Sequence, residues 1–165
     1  MKKIYSLLII VFSFASCSQA QQTEFKEEAL SNTMKTVENT DITFQEILKK
    51  YEGKTIVIDV WASWCSDCIK GMPKVKALQE KYPDVTYLFI SMDKNYEAWT
   101  KGIEKYDVQG EHYLTSDGMK GVFGKSIKLD WIPRYMVVDK TGKIALFKVI
   151  EADDTKLIET LESLK

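Results

Sequence analysis

Residues 59–68 read Asp-Val-Trp-Ala-Ser-Trp-Cys-Ser-Asp-Cys and lie where two hydrophobic patterns meet. The first is a nearly continuous β-branched run over 55–62, which predicts a strand covered on both faces, as in a central parallel sheet. The second is a helical spacing of apolar residues over 66–82, which predicts a helix. Cys65 and Cys68 are therefore expected at a junction between a buried strand and a helix.

This junction gives the two cysteines different chemistry. Cys65 comes at or just before the helix N-terminus, where backbone N–H groups and the helix dipole favour a thiolate. Cys68 follows about one helical turn later on the same side, so the two sulfurs can bond without movement of the backbone. We predict that Cys65 is the attacking thiolate and that Cys68 is the resolving thiol, which breaks a mixed disulfide from within.

A Cys-x-x-Cys pair also occurs in zinc sites and in structural disulfides. A zinc site needs two more ligands, and the chain offers one histidine, His112, and no second cysteine pair. A structural disulfide that closes so short a loop gains little loop entropy. Both alternatives remain open beside the redox pair, for which we expect no metal and no organic cofactor.

Length and composition indicate one globular domain. The chain has 165 residues, of which 45% are apolar and 28% are charged. The 23 Lys and Arg residues nearly balance the 24 Asp and Glu residues, for a net charge of −1. Because no basic field exists to hold a phosphate backbone, we expect no nucleic-acid partner.

The N-terminus has the pattern of an export signal. Two lysines precede an apolar run over 4–15, which is shorter than the roughly 20 residues of a membrane-spanning helix and fits a signal peptide. The small residues before Cys17 resemble the lipobox of bacterial lipoproteins, and a second possible cleavage site follows Ala20. We expect a signal peptide at 1–17 with lipid on Cys17 and a polar tether at 18–40, in which a short helix or edge strand at 25–30 is an alternative. The domain would be periplasmic and membrane-anchored, or alternatively secreted and soluble in the periplasm.

Strand and helix patterns alternate along the rest of the chain, up to the C-terminus. The predicted strands cover 55–62, 85–92, 111–114, 134–138 and 143–150, and the predicted helices cover 42–51 (capped by Asp41), 66–82, 95–106, 118–125 and a segment from Asp153 or Asp154 to 164. Strands separated by helices need parallel crossovers, whereas a hairpin turn at 139–142 adds an antiparallel edge. The expected fold class is α/β, with a central mixed β-sheet and helices on both faces.

These residues resemble the thioredoxin-fold thiol–disulfide oxidoreductases. Residues 59–65 match the thioredoxin pattern Asp-Phe-Trp-Ala-x-Trp-Cys in register, and Pro73 matches the proline that kinks the active-site helix. Ile132-Pro133 and the strand that follows look like the cis-proline loop of the family. The resemblance covers about 40–165, the predicted thioredoxin-like domain being 41–165. The signal and an inserted stretch at 93–130 look most like exported TlpA/ResA-type proteins.

The resemblance implies roles for residues around the cysteine pair. Pro133 would be cis and face the pair, leaving the Ile132 backbone free to bind an extended segment of substrate. Trp64 would form part of the apolar docking surface. A carboxylate buried in a strand has a raised pKa, and the resemblance assigns Asp59 the role of assisting Cys68.

Four residues depart from the thioredoxin pattern. Ser66 and Asp67 stand between the cysteines where most thioredoxins have Gly-Pro, and they should tune the redox potential. The negative charge of Asp67 should oppose the Cys65 thiolate and favour a more reducing couple. Phe89 stands where thioredoxins often have a lysine facing the buried acid, and Ile132 replaces a small or hydroxylated residue. Trp131 and Tyr135 are interpreted mainly as core or rim packing, and lining of the groove is an alternative for Trp131.

The expected function is an exported thiol–disulfide oxidoreductase that cycles a Cys65–Cys68 dithiol and disulfide. It would reduce disulfides of client proteins in the envelope, be reset by a membrane thiol donor, act as a monomer and touch the membrane only through its lipid anchor. A peroxiredoxin-like peroxidase is an alternative, although the Pro-x-x-x-Thr-x-x-Cys pattern is absent before Cys65. A non-catalytic thioredoxin-fold binding or chaperone module is another.

Overall fold

The computed structural model describes residues 21–115 and 117–165. Within these ranges the strands form one seven-stranded sheet. The strands are β1 (Thr33–Lys35), β2 (Asp41–Thr43), β3 (Ile56–Trp61), β4 (Thr86–Ser91), β5 (Glu111–Leu114), β6 (Arg134–Val138) and β7 (Ile144–Val149). The helices are α1 (Glu27–Leu30), α2 (Phe44–Lys50), α3 (Ser66–Lys81), α4 (Tyr96–Tyr106), α5 (Val122–Ser126) and α6 (Thr155–Ser163). The predicted signal peptide, Cys17 and the cleavage site after Ala20 lie outside the described residues.

The sheet is mixed, with the strand order β2-β1-β5-β4-β3-β6-β7. β3, β4 and β5 are parallel to one another. β6 pairs antiparallel with β3, and β7 pairs antiparallel with β6. The crossovers through α3 and α4 both move one strand in the same direction, so right-handed connections place both helices on one face. α6 joins that face, where the Tyr82 hydroxyl donates to Glu162 at 2.6 Å.

The second face carries α1, α2 and α5. The Phe44 ring at the start of α2 makes edge-to-face contacts with Phe25 and Phe123, at centroid distances of 4.8 and 5.0 Å. Two layers of helices therefore enclose the sheet, which confirms the predicted α/β class. None of the helices within the described ranges is both long enough and apolar enough to span a membrane.

The central strand β3 is buried along its whole length. Its side chains alternate between the faces, and Trp61 identifies the α3 and α4 side because a Cβ on Gly102 of α4 would lie 3.6 Å from the Trp61 ring. Val57 and Asp59 share this face with Trp61. β3, whose other residues are apolar, thus places the carboxyl group of Asp59 beneath helices α3 and α4.

The folded domain begins before residue 41. The sequence predicts a polar tether over 18–40, but the described part of that segment contains α1, which confirms the alternative of a short helix at 25–30, and β1, which was not predicted. Ala29 and Met34 are buried, and the Ile144 N–H donates to the Thr23 carbonyl at 2.8 Å. These elements are only three or four residues long, so their few apolar side chains form no period that a sequence pattern can reveal.

The cap of α2 also differs from the prediction. Asp41 is in β2, and Thr43 caps the helix by accepting from the Glu46 N–H at 3.2 Å. The Glu46 carboxylate accepts in return from the Thr43 N–H at 2.8 Å, which completes a capping box. Because this reciprocal pair satisfies two free N–H groups, the helix begins at Phe44 rather than at residue 42.

Candidate active site

The cysteine pair lies at the predicted junction between β3 and α3. Cys65 is the N-cap of α3, and its Sγ accepts from the Cys68 N–H at 3.1 Å. The two sulfurs are bonded to each other, with a Cα–Cα distance of 5.3 Å, so the structure shows the oxidised state. Cys68 is buried one turn into α3 while Cys65 lies nearer the surface. A bond between these sulfurs leaves neither one as a thiolate ligand for zinc.

The turn before Cys65 is held by a buried carboxylate that the sequence reading did not identify. Asp93 accepts from the Ser63 N–H at 2.9 Å and from the Ser63 hydroxyl at 2.7 Å. It also accepts from the Ser91 hydroxyl at 2.7 Å. A usable signal existed, since Asp93 follows the carboxyl end of a parallel strand, where site residues of open α/β sheets gather.

The loop that faces Cys65 contains the predicted cis-proline. The Ile132–Pro133 bond is cis, and the Ile132 carbonyl oxygen lies 3.6 Å from the Cys65 Sγ. Arg134, whose side chain is fully buried, holds this loop by donating to the Ile127 carbonyl at 3.3 Å and pairing with Asp130. The sequence alone did not predict this role of Arg134, because a charged residue is usually exposed.

An open groove surrounds the disulfide. The side chains of Trp64 and Trp131 stay 61% and 55% exposed, which is unusual for tryptophan. Together with Cys65, Met119 and Ile132 they line a cavity of about 350 Å³. The alternative that Trp131 lines the groove is confirmed, since Trp131 and Trp64 both belong to this lining.

Asp59 lies beneath the site on β3, with only 3% of its surface exposed. Phe89 of β4 and Tyr135 of β6 are its neighbours in register, so the predicted position of Phe89 beside the acid is confirmed. Burial raises the pKa of Asp59 to about 8, against a smaller lowering by the Tyr135 hydroxyl. Neither carboxylate oxygen has a hydrogen bond of normal length in this oxidised state. The pKa was predicted to rise, and it does.

The two residues between the cysteines form the first turn of α3. Both Ser66 and Asp67 are exposed, and the Asp67 carboxylate lies 4.0 Å from the Lys70 Nζ.

The structure brings most predicted site residues to one end of the sheet, with Asp59 below them. The residues around this end are Trp64, Cys65, Ser66, Asp67, Cys68, Ile132 and Pro133.

Comparison with known proteins agrees with this geometry. A family profile described as thioredoxin-like matches residues 53–144. The thiol-disulfide oxidoreductase ResA of Bacillus cereus is 25% identical over 156 residues, which cover 91% of this chain and 87% of that protein.

Solved structures show the same fold. The thioredoxin domain of a thiol-disulfide oxidoreductase from Bacteroides vulgatus superposes with a TM-score of 0.65 at 25% identity, covering 81% of this chain and 92% of that one. A secreted Mycobacterium tuberculosis disulfide oxidoreductase, homologous to E. coli DsbE, has a TM-score of 0.63 at 20% identity, covering 84% and 100%. The chain therefore belongs to the thioredoxin-like family, and within it is a thiol–disulfide oxidoreductase similar to ResA.

Proposed function

We propose that this protein reduces disulfide bonds of client proteins in the bacterial cell envelope. The observation that carries the direction is the Asp67 carboxylate in the first turn of α3, between the two cysteines. A negative charge at this position opposes the helix dipole that would stabilise a Cys65 thiolate. Strong oxidants owe their potential to a stabilised reduced form, so a less stabilised thiolate makes the pair more reducing.

The catalytic cycle consists of two exchange steps. The Cys65 thiolate attacks a client disulfide and forms a mixed disulfide, and one client sulfur leaves as a thiolate. The Cys68 thiolate then attacks the Cys65 sulfur, and the second client thiolate leaves with the electron pair of the broken bond. This step produces the Cys65–Cys68 disulfide seen in the structure. A membrane thiol donor returns two electrons and resets the pair.

The groove beside Cys65 is the proposed docking surface for the client. Trp64 supplies exposed apolar area, and the cis peptide bond at Pro133 presents the backbone of Ile132 next to the Cys65 sulfur. An extended client segment would pair with that backbone and bring its disulfide to Cys65. Asp59 would accept the proton of Cys68 before the second step, since a pKa near 8 allows proton exchange close to neutral pH.

The sequence of residues 1–17 supports a location in the envelope. We propose that the chain is exported and anchored by lipid on Cys17, and that it acts there as a monomer without a metal or organic cofactor. Cleavage after Ala20 would instead give a soluble periplasmic protein. Mass spectrometry of the mature N-terminus in membrane and soluble fractions distinguishes the two forms.

The reduction potential of the Cys65–Cys68 pair tests the proposed direction. The full-length chain carrying Cys17→Ser is equilibrated in dithiothreitol and glutathione buffers, and free thiols are counted by alkylation and mass. We expect a value near or below the roughly −270 mV of thioredoxin. A value near the roughly −120 mV of strong periplasmic oxidants would contradict the direction and keep the enzyme class.

A charge variant isolates the contribution of Asp67. Removing a charge next to the thiolate, as in Asp67→Asn, should raise the potential by about 6–21 mV, from roughly 0.3–1 kcal/mol of dipole interaction and 30 mV per 1.4 kcal/mol. Asp84→Asn is the matched control, because Asp84 is exposed in the loop before β4. Equal shifts in both variants would remove the argument from Asp67.

A further inference from the structure

Tyr135 and Asp59 lie opposite each other in the antiparallel pair of β6 and β3. Opposed residues share one face of a sheet, with Cβ atoms about 5 Å apart. The Tyr135 hydroxyl extends to α3, where a Cβ placed on Gly71 would lie 3.6 Å from it. Gly71 follows Cys68 by three residues and is its neighbour on the helix surface. Tyr135 therefore bridges the space between the buried carboxyl group and the helix that carries the resolving cysteine.

Of the two residues beside Asp59 in the sheet, Tyr135 is the polar one. On the other side, in β4, stands the apolar ring of Phe89. Both carboxylate oxygens are buried without a hydrogen bond, an arrangement that fits a neutral acid in the oxidised protein. An ionised Asp59 needs a donor, and the Tyr135 hydroxyl is the group that favours its charged form.

Tyr135 also lines a groove that opens to solvent. This groove has a volume of about 410 Å³ and lies between α3 and the end of β7. Its wall includes Pro133 and Trp131, so it adjoins the docking surface. A hydroxyl that lies between a buried acid and an open groove is placed to pass protons from one to the other.

The charged groups that face Tyr135 come from two elements. α3 presents Asp67, Lys70 and Lys74, and the turn before α6 presents Glu151 and Asp153. Lys74 pairs with both acids of the turn, at 2.7 and 3.0 Å. Burial, with the nearby carboxylates, raises the pKa of Tyr135, so the hydroxyl keeps its proton and remains a donor.

We propose that the Tyr135 hydroxyl connects Asp59 to the groove, and that Tyr135 is a positioning residue for the step that releases the client. It acts through Asp59, and so rests on the proposed function of that residue. Cys68 gives its proton to the Asp59 carboxylate, and its sulfur bonds to Cys65 while the client thiolate leaves with the electron pair. Asp59 is ionised beforehand, when it passes its own proton to the Tyr135 oxygen as the hydroxyl proton moves to solvent, and it keeps the proton of Cys68 once the disulfide has formed. Electrons change place only in the disulfide exchange.

The test follows the two exchange steps separately. The reduced full-length chain carrying Cys17→Ser is mixed with Ellman's reagent, which releases one thionitrobenzoate when Cys65 attacks and a second when Cys68 displaces the first adduct. The second phase should accelerate with pH as Asp59 ionises. Tyr135→Phe should move that profile up by about one pH unit and slow the second phase about tenfold at pH 7, the loss of one hydrogen bond to a charged group.

Tyr87→Phe is the matched control. Tyr87 is a buried tyrosine of the neighbouring strand β4, and its hydroxyl donates to the Leu78 carbonyl of the same helix at 3.0 Å. This variant should leave the pH profile of the second phase in place. An equal shift in both variants, or none in Tyr135→Phe, would overturn the proposal. Should Tyr135→Phe not fold, Tyr135→Met removes the hydroxyl and gives the same readout.

Asp59→Asn separates this proposal from the role of Asp59 itself. The variant should flatten the pH profile, and adding Tyr135→Phe should then change nothing further. If Asp59→Asn leaves the profile unchanged, the proposed role of Asp59 fails. If Asp59→Asn flattens it while Tyr135→Phe does not shift it, only the role of Tyr135 fails. A slowing by Tyr135→Phe that persists in the Asp59→Asn background would show a structural effect and overturn the proposal.

Discussion

The Asp93 carboxylate accepts hydrogen bonds from both the backbone N–H and the hydroxyl of Ser63, at 2.9 and 2.7 Å. It thereby ties the turn that precedes Cys65 to the end of β4. Asp93 is itself buried, so these bonds are shielded from water and from salt. The position of the attacking sulfur therefore depends on a residue that follows a different strand.

Asp93→Ala should therefore disturb both stability and the active site. It leaves the half-buried donors of Ser63 and the buried hydroxyl of Ser91 without an acceptor, and we expect a loss of about 2–4 kcal/mol in the free energy of unfolding, measured with urea. Alkylation of Cys65 in the reduced protein should also slow. Asp139→Ala is the control, because Asp139 accepts from Thr141 and Lys143 in the hairpin turn. A similar change of Cys65 reactivity in the control would contradict the positioning role of Asp93.

Gly102 allows α4 to pack on the same turn. A Cβ at this position would lie 2.5 Å from the Ser63 Cβ, a distance that forces the helix or the turn to move. Alanine normally stabilises a helix relative to glycine by roughly 0.5–1 kcal/mol. We expect Gly102→Ala instead to destabilise the fold by about 1–3 kcal/mol, as overpacking does.

Gly71→Ala is the comparison, measured by the same urea unfolding. Gly71 is also inside a helix, and its added Cβ would make an ordinary contact of 3.6 Å with the Tyr135 hydroxyl. This variant should be neutral or slightly more stable than the wild type. Equal destabilisation of both variants would mean that the contact with Ser63 is not the cause.

Buried Arg134 should stabilise the cis-proline loop more than the half-exposed ion pair between Lys148 and Asp130 does. Its fully buried guanidinium donates to the Ile127 carbonyl and pairs with Asp130, which also contacts Lys148. We expect Arg134→Met to cost about 1–3 kcal/mol in the free energy of unfolding and to speed amide exchange over 127–132. Lys148→Met, which removes the half-exposed partner, should cost below about 1 kcal/mol. Hydrogen exchange that is unchanged in Arg134→Met would argue against a role in holding the loop.

The pKa of Asp59 predicts how stability depends on pH. The pKa rises from 3.8 to about 8 on folding, so between these values the folded chain keeps a proton that the unfolded chain releases. Raising the pH through this window therefore favours unfolding, by at most about 1.4 kcal/mol per pH unit. Asp59→Asn lacks this loss, so its stability relative to the wild type should increase from pH 5 to pH 8. Urea unfolding of both oxidised proteins at pH 5 and pH 8 measures this change. A difference in the free energy of unfolding that is the same at the two pH values would contradict the raised pKa.

Local patterns predicted the parts of the fold that depend on neighbours in sequence. The β-branched run before Cys65 became β3, and the helical spacing after it became α3. The disulfide between Cys65 and Cys68 follows from one helical turn, and the raised pKa of Asp59 follows from its place in an apolar run. The cis bond at Pro133 was predicted from the resemblance to a family motif.

The residues that the sequence did not reveal act through contacts between distant segments. Ser63 and Asp93 are thirty positions apart and meet only because β3 and β4 are adjacent. Tyr135 reads as an ordinary buried aromatic until its register with Asp59 is known. β1 pairs with β2 and β5, and its one buried apolar side chain, Met34, forms no pattern in the sequence.

The hydrogen bond between Thr23 and Ile144 limits how far the domain could stand from a membrane. The number of residue steps from Cys17 to Thr23 is 23 minus 17, or 6. At no more than about 3.6 Å per residue, such a connection reaches about 20 Å. A lipid on Cys17 would thus hold Thr23, which attaches at the end of the sheet opposite Cys65, within about 20 Å of the bilayer surface. The groove would then open on the side of the domain that faces away from this attachment point.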